Sequence, residues 1–178
     1  MPPLGSSLVY GMSGSGLEGT MELELLGWEP LDGEWEGRWR VRQAADGQPP
    51  ATSEIRRRCS ADALEEAWET PDLLSPLVSA TNRTWRWPSA LSPGVRFSGT
   101  IDLSLGRHRG RVARTHEVVR REMTHVPAGT FDAWKVAVED RYGERETSSE
   151  VWVADGVGMI RMIQHMAAGT LTYELLER

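Results

Sequence analysis

The sequence predicts a mainly β protein, and three observations support this fold class. Apolar and polar residues alternate in several stretches, which places successive side chains on opposite faces of a sheet. Short segments rich in Gly, Asp and Pro separate these stretches, and such residues accept the backbone angles of tight turns. Near the carboxyl end the turns recur every ~8–14 residues, which is typical of a meander of hairpins.

The length and cysteine content favour one compact domain. The chain has 178 residues, which predicts a single domain spanning residues 1–178 and able to bury a core without cross-links. Cys59 is the only cysteine, so no intrachain disulfide forms. Arginines at 56–58 would lower the pKa of its thiol if they lay close, but we expect a buried, inert side chain, because free cysteine behaves as a small hydrophobe.

Two stretches in the first half of the chain have one apolar face each. Residues 20–27 alternate apolar side chains with glutamates. The inward positions predicted there are Met21, Leu23 and Leu25. Residues 34–42 alternate in the same way, with Arg and Glu pointing outward. The inward positions predicted there are Trp35, Gly37, Trp39 and Val41.

The middle of the chain interrupts the alternation. Residues 60–69 predict a short helix, since Ser60 is a good N-cap and Leu64 and Trp68 lie four apart. The following stretch to residue 94 contains four prolines and predicts an irregular connection. We expect 60–94 to act as a plug or lid, because soluble proteins rarely leave a large apolar sheet face uncovered.

Alternation returns in the second half. Residues 94–105 and 169–177 each predict a half-buried strand. The inward positions predicted in the two strands are Val95, Phe97, Gly99, Ile101, Leu103, Leu105, Leu171, Tyr173 and Leu175.

The stretch THVPAGTFDAWKVAVED, residues 124–140, resembles a catalytic loop at first sight. Pro127 cannot donate to a ladder and ends one strand, whereas Gly129 provides the conformational freedom of a turn. The stretch therefore predicts a hairpin in which His125 and Asp132 lie on opposite sides of the turn and form no catalytic pair. Beyond it, one face is predicted to carry Trp134, Val136 and Val138.

The charges argue against nucleic acid and anionic membranes as partners. The formal net charge is −6, although residues 106–121 hold six arginines and two histidines. An anion-binding surface is one interpretation, but no aromatic residues are interleaved to stack bases. A solvated sheet face with cross-strand ion pairs is favoured. Examples of possible acidic partners are Glu22, Glu24, Glu34 and Glu36.

No metal or catalytic motif is apparent. The histidines are His108, His116, His125 and His165, and none has a metal-binding spacing. A site made of His116, His125 and a carboxylate across the sheet stays open as an alternative. We predict no metal, no cofactor and no catalytic residue.

The amino terminus has no basic segment followed by an apolar run, so it does not read as a signal peptide. No window approaches the ~18 consecutive apolar residues of a membrane span. The chain as written is therefore predicted to be cytoplasmic, and periplasmic or envelope-located if its true start lies upstream.

Three stretches resemble a recurring pattern in uncharacterised bacterial β-rich proteins, many of them predicted lipoproteins or periplasmic proteins. They are VPAGTFDAWKVAVED, SSEVWVADGVGMIRM and the opening PPLGSSLVYGM, and the resemblance covers roughly residues 2–12 and 117–177. It implies a curved antiparallel sheet folded as an open half-barrel, similar in shape to the lipoprotein localisation factors, which hold acyl chains on the concave face.

The predicted fold is thus a single curved antiparallel sheet of about nine to eleven strands, an open half-barrel. One short helix or the irregular Pro-rich segment is expected to cover its concave face. The chain contains eight tryptophans but only two phenylalanines and three tyrosines. These rings either fill a core or line an apolar pocket, and both interpretations stay open.

The first functional hypothesis is a non-catalytic module that binds a hydrophobic or amphipathic small molecule, such as a lipid. Desolvation in a largely preformed cavity would drive binding, with one or two arginines holding an acidic head group. The residues expected to line the cavity are Trp39, Trp85, Trp87, Phe97, Ile101, Trp134 and Met162. The second hypothesis is a structural or interaction protein with a self-filled core. The third is an enzyme with an unrecognised histidine–carboxylate site.

Overall fold

The computed structural model describes most of the chain at the level of secondary structure. The described residues are 4–31, 34–59, 63–68, 78–81, 83–88, 90–105 and 108–178. They form thirteen strands and contain no helix. The strands are β1 (Ser7–Gly14), β2 (Leu17–Leu31), β3 (Glu34–Ala45), β4 (Ala51–Cys59), β5 (Ala63–Trp68), β6 (Val78–Thr81), β7 (Arg83–Pro88), β8 (Arg96–Leu105), β9 (His108–Val126), β10 (Gly129–Tyr142), β11 (Arg145–Ala154), β12 (Gly158–Met166) and β13 (Gly169–Glu177).

All thirteen described strands belong to one antiparallel sheet. Their order is β6-β8-β9-β10-β11-β12-β13-β1-β2-β3-β4-β5-β7, and the sheet is not closed into a barrel. The first and last strands of the chain pair with each other, so the middle of the sheet joins the two ends of the sequence. The predicted mainly β fold with a single antiparallel sheet is confirmed.

The helix predicted over 60–69 is wrong for residues 63–68. These residues form β5, in which Leu64 pairs with Cys59 of β4 and with Trp87 of β7. A helix of so few residues forms too few hydrogen bonds to offset its nucleation, whereas a strand between two neighbours bonds on both sides.

The irregular connection predicted up to residue 94 is also partly strand, since 78–81 and 83–88 form β6 and β7. Together with β5 these add three strands, which accounts for the excess over the predicted number. Residues 60–62 and 69–77 lie outside the described residues. The role of 60–94 as a plug or lid, and the division of the chain as one domain, stay predictions.

The described strand pairs contain four β-bulges. In each, the pairing skips one residue of a strand: Leu26 in β2, Val119 in β9, Ile160 in β12 and Leu176 in β13. A bulge locally increases the right-handed twist of a strand pair and bends the bulged strand. The bulges therefore give a physical basis for the predicted curvature, which no alternation of residues reveals.

Alternation correctly predicted the buried positions of several strands. Met21, Leu23 and Leu25 of β2 are buried, and so are Leu171, Tyr173 and Leu175 of β13.

Trp35 of β3 is an exception, because its side chain is 43% exposed while the neighbouring Glu36 is buried. Two arginines of β4 compensate the buried carboxylate: Arg58 Nε lies 2.8 Å from a Glu36 oxygen and an Arg56 nitrogen lies 3.6 Å from the other. The burial expected for Trp35 is therefore wrong.

The described apolar core consists of two clusters. The first cluster centres on β1, β2, β3 and β13, and its largest sealed side chains are Tyr10, Leu25, Ile55, Ile160, Leu171 and Leu175. The second cluster has four buried valines, namely Val118, Val136, Val138 and Val151. Partly buried side chains surround these valines: Trp87, Leu91, Val95, Phe97, Trp134, Val153, Met159 and Met162.

The hairpin predicted at residues 124–140 is confirmed. Gly129 has a φ of 136° and pairs with Val126 directly across the turn. His125 Nδ1 lies 2.9 Å from Thr130 Oγ1, its register partner. Asp132 instead pairs with Met123 and forms an ion pair with Arg121. The turn thus separates the two residues that suggested catalysis.

Candidate functional site

Three aromatic rings that contact one another border the second cluster. The Phe97 ring lies parallel to the His116 ring, with centroids 4.4 Å apart and an interplanar angle of 7°. The Trp87 ring is tilted against both, with centroid distances of 5.2 Å to Phe97 and 5.2 Å to His116. This arrangement forms an aromatic wall beside the four valines.

Register explains how the wall forms. Phe97 of β8 and His116 of β9 are directly paired residues, so their rings emerge side by side from the same face. Trp87 comes from β7 at the edge of the sheet. The chain between β7 and β8 is anchored to β9, because Gly94 N donates to Val118 O at 2.8 Å and Val118 N donates to Val95 O at 2.9 Å.

His116 is buried and uncharged at neutral pH. Its side chain is 3% exposed, and burial, aided by the positive charge of Arg114, lowers its pKa to about 4. The wall therefore presents a neutral surface. A neutral imidazole between two aromatic rings suits contact with apolar matter, since no charge needs solvation there.

The structure brings four of the seven predicted lining residues to one place. Trp87, Phe97, Trp134 and Met162 all pack partly buried against the second cluster. Met162 also packs against the first cluster.

Trp39 lies elsewhere, at 5% exposure inside the first cluster with the Arg57 guanidinium 5.0 Å from its ring. Trp85 pairs with Glu66, and Ile101 pairs with Val112. The side chains of Trp85 and Ile101 lie outside the described part of the structure.

One arginine stands over the second cluster. The Arg121 guanidinium lies 5.2 Å from the Trp134 ring centroid, a distance typical of a cation–π contact. Its Nε lies 3.0 Å from Asp132 and one Nη lies 3.2 Å from Asp155. The cation is partly exposed and held at the border between apolar surface and solvent.

The charge-paired sheet face predicted from the sequence is present, but with different partners. The ion pairs join neighbouring strands: Arg40–Glu24, Arg42–Glu22, Arg58–Glu36, Arg111–Asp102 and Arg114–Asp140. Pairing of the 106–121 arginines with Glu22, Glu24 and Glu36 is therefore wrong. Strand order decides which charges meet, and the sequence pattern does not contain that order.

Trp152 is a residue that sequence reasoning did not single out. It is 5% exposed, with Lys135 Nζ 4.9 Å and the Arg161 guanidinium 5.3 Å from its ring centroid. Its Nε1 donates to Glu122 at 2.8 Å, and this bond contributes most to lowering the pKa of Glu122. Lys135 is the only lysine of the chain, a signal that could have drawn attention to this region.

Cys59 is a free, half-buried cysteine. Burial raises the pKa of the Cys59 thiol and outweighs the opposite effect of Arg57. Among the described residues, no group of three or more His, Cys, Asp or Glu could hold a metal ion. In the same part of the chain, no helix has the length and apolar character needed to cross a membrane.

Sequence comparison identifies a family. The profile of the family described as "Protein of unknown function (DUF3108)" matches residues 72–176, more than half of the chain. The chain belongs to this family. The match includes the second cluster with its aromatic wall, and it also covers the middle of the chain, where the sequence alone suggested no relative. No curated protein matches the chain significantly in sequence.

Two solved structures share the fold of this DUF3108 member. One is a predicted exported protein with a YmcC-like fold from Bacteroides fragilis, with a TM-score of 0.76, 15% identity and coverage of 98% of this chain and 95% of that chain. The other is a predicted lipoprotein from Parabacteroides distasonis, with a TM-score of 0.72, 17% identity and the same coverage, 98% and 95%.

The resemblance to uncharacterised bacterial β-rich proteins is thereby confirmed at the level of fold. At these identities the likeness carries no information on ligand or activity. Similarity to the lipoprotein localisation factors stays a prediction.

Proposed function

We propose that this DUF3108 member is a non-catalytic module that binds a hydrophobic or amphipathic small molecule, such as a lipid, over the second cluster. The observation that carries the proposal is the incomplete cover of that cluster. Large apolar side chains that would normally be sealed are only partly buried there, among them Trp87, Phe97, Trp134 and Met162. Each leaves apolar surface that a ligand would remove from water.

The chemistry of this surface favours an apolar chain. Valine, methionine and aromatic side chains, together with a neutral His116, offer dispersion contacts and no fixed charge. Removing apolar surface from water contributes roughly 25 cal/mol per Å². Methionines add adaptability, because their unbranched side chains repack around ligands of different shape.

Arg121 gives the surface a polar border. It stands over Trp134, which belongs to the second cluster, and it reaches solvent. The acidic head group of an amphipathic ligand would bind here while its chain lies on the valines, in exchange for one of the two aspartates that now hold the guanidinium. This gives Arg121 the role expected from the sequence for one or two arginines, namely holding an acidic head group.

An envelope location fits this proposal. The fold neighbours are described as an exported protein and a lipoprotein, so the predicted cytoplasmic location gains no support from them. We propose that the protein works in the periplasm or on the envelope, where lipids pass between membranes and need an apolar carrier surface.

The test is a binding titration with cis-parinaric acid, a fluorescent fatty acid, supported by native mass spectrometry of freshly purified protein. We expect saturable binding, and co-purified lipid in the mass spectrum. Trp134→Ala should weaken the affinity about tenfold, which corresponds to ~1.4 kcal/mol. Trp35→Ala is the matched control, because this exposed tryptophan belongs to neither cluster and its loss should leave the affinity unchanged.

Absence of saturable binding to the wild-type protein would refute the proposal. Equal weakening by both tryptophan variants would show that the probe binds somewhere else. Either result would favour the alternative of a structural or interaction domain with a self-filled core. The sealed side chains of the first cluster already favour this alternative for that part of the sheet.

A further inference from the structure

Two neighbouring strands beside the second cluster lack a ladder between them. β6 pairs with the second half of β8, from Asp102 to Leu105. β7 begins only one residue after β6, yet it pairs with β5 instead. The first half of β8, residues 96–101, therefore has β9 as its one hydrogen-bonded neighbour among the described strands.

We name the interval between residues 83–88 and residues 96–101 the seam. Its two sides lie close, since Cα atoms of β7 and β8 approach within 8 Å. The Trp87 and Phe97 rings meet across it at 5.2 Å. The Trp87 and Phe97 rings thus contact each other across the seam, whereas no ladder of backbone hydrogen bonds joins the two described strands. In the described sheet β7 pairs with β5 and this half of β8 pairs with β9, so neither edge at the seam has a paired strand, although sheets normally cover such edges.

Backbone hydrogen bonds fix the two ends of the seam, and in the described sheet no ladder joins β7 and β8 between them. At one end, Thr81 of β6 pairs with Asp102 of β8. At the other end, the hydrogen bonds of Gly94 and Val95 to Val118 attach the connecting chain to β9. The described contacts that opening would break between these ends are the ring contacts of Trp87 and Phe97, and such contacts break far more readily than a ladder of hydrogen bonds.

The seam leads directly to the second cluster. Trp87 and Phe97 pack against that cluster, and Val118, which anchors one end of the seam, is one of its four valines. An inserted peptide strand fits poorly, because it would need β7 and β8 about 9.6 Å apart, twice the usual strand spacing. A flexible acyl chain needs only a transient separation of the two rings.

We propose that the seam between β7 and β8 is a lateral gate through which an acyl chain reaches the second cluster. Contact between the Trp87 and Phe97 rings keeps this gate closed. This inference rests on the proposed function, since it concerns access to the same binding surface. It assigns the two rings a kinetic role: they control how fast the ligand enters and leaves.

The test tethers the two sides of the seam. In a Cys59→Ser background, Trp87→Cys and Phe97→Cys are cross-linked with a short bis-maleimide. The matched control is the same variant treated with N-ethylmaleimide, which modifies both positions without joining them. Stopped-flow mixing with cis-parinaric acid should show association and dissociation both slowed at least about tenfold by the tether. The affinity after full equilibration should match that of the control.

The outcomes separate the gate from the proposed function. If the wild-type protein binds the probe and the tethered and control proteins exchange it equally fast, the gate is refuted while the proposed function stands. If the wild-type protein does not bind, both fail.

Trp87→Leu provides a second measurement that needs no cross-link. It keeps an apolar side chain but removes the ring contact, so the association rate should rise about threefold, whereas the loss of a surface contact alone would raise only the dissociation rate. An unchanged association rate in this variant would also overturn the gate.

Discussion

The two apolar clusters of the sheet differ in how completely they are covered. In the first cluster the large side chains are sealed, with Tyr10 at 1% exposure and Leu175 at 0%. In the second cluster only the valines at its centre are sealed, and the aromatic and methionine side chains around them are partly buried. One sheet thus packs like a domain core on one part of its surface and leaves apolar side chains partly exposed on another.

The difference teaches that alternation alone does not make a core. Both clusters arise from strands with the same period of two, and Met159 and Met162 pack against both. What differs is the cover: where β1 meets β13, Tyr10 donates its hydroxyl to the Met159 carbonyl at 2.7 Å and locks the neighbouring strands together. The second cluster relies on partly buried rings, one of which, Trp87, belongs to the edge strand β7.

Leu175→Ala tests the sealed cluster and should have the largest effect. The side chain is fully buried, so its loss leaves a cavity and should lower the free energy of unfolding by about 3–4 kcal/mol. Urea denaturation measures the change. Leu176→Ala is the control, since this neighbouring leucine is the bulged residue and is only half-buried. A loss as large for Leu176 would contradict the contrast between sealed and open surface.

His116 should make the second cluster sensitive to acid. Its pKa is about 4 in the folded protein against an ordinary 6.5, so the unfolded chain binds the proton first as the pH falls. Stability is therefore lost from about pH 6.5 down to about pH 4, by a total of about 3 kcal/mol, and is unaffected by this group above that range.

Chemical denaturation at a series of pH values checks this expectation. His116→Phe keeps a ring stacked on Phe97 but cannot titrate, so its stability should fall less over the same interval. Arg114 and Asp140, the charged groups that influence His116, are present in both proteins. Parallel pH profiles for the two proteins would show that His116 does not couple folding to protonation.

Phe97→Ala tests the open cluster and should cost less than Leu175→Ala although a larger side chain is removed. Because Phe97 is partly buried, about 1–2 kcal/mol is expected rather than the ~3–5 kcal/mol typical of a sealed phenylalanine. Thermal or urea unfolding gives the value. A loss in the full range for a sealed ring would place Phe97 in a closed core and weaken the binding proposal.

Arg96→Ala should have the smallest effect. Arg96 lies at the start of β8 and pairs with Glu117 at 2.6 Å, but the two side chains are 69% and 42% exposed. Solvent screens such pairs, so the expected loss is below about 0.5 kcal/mol and should shrink further in high salt. A salt-independent loss above that value would indicate that the edge of β8 is held by its charges.

Much of the fold was accessible from the sequence, since local chemistry decides it. The alternation predicted the inward residues of β2 and β13, and Pro127 and Gly129 predicted the hairpin. The prediction failed at β5, where a weak helical spacing of Leu64 and Trp68 was outweighed by pairing on both sides of the strand. It also failed at two neighbouring residues of β3, since Trp35 is exposed and Glu36 is buried. The burial of Glu36 depends on arginines that the neighbouring strand β4 supplies.

The grouping of some predicted lining residues could be seen only in the structure, and their role in binding stays a prediction. Trp87, Phe97, Trp134 and Met162 were each singled out as large apolar residues, and the structure gathers them around one cluster. Trp39 was assigned to the same site, yet it lies in the sealed first cluster. From the sequence, all five residues look alike, since each is an apolar residue in an extended or irregular segment.

The sequence by itself determined the class of the protein, the faces of its longest strands and the position of its turns, because side-chain alternation and backbone preferences act between near neighbours. Tertiary structure decided the strand order, the ion-pair partners, the four bulges and the unequal cover of the two clusters. These features depend on contacts between residues far apart in the chain, whose free energies compare whole arrangements of strands and leave no local pattern.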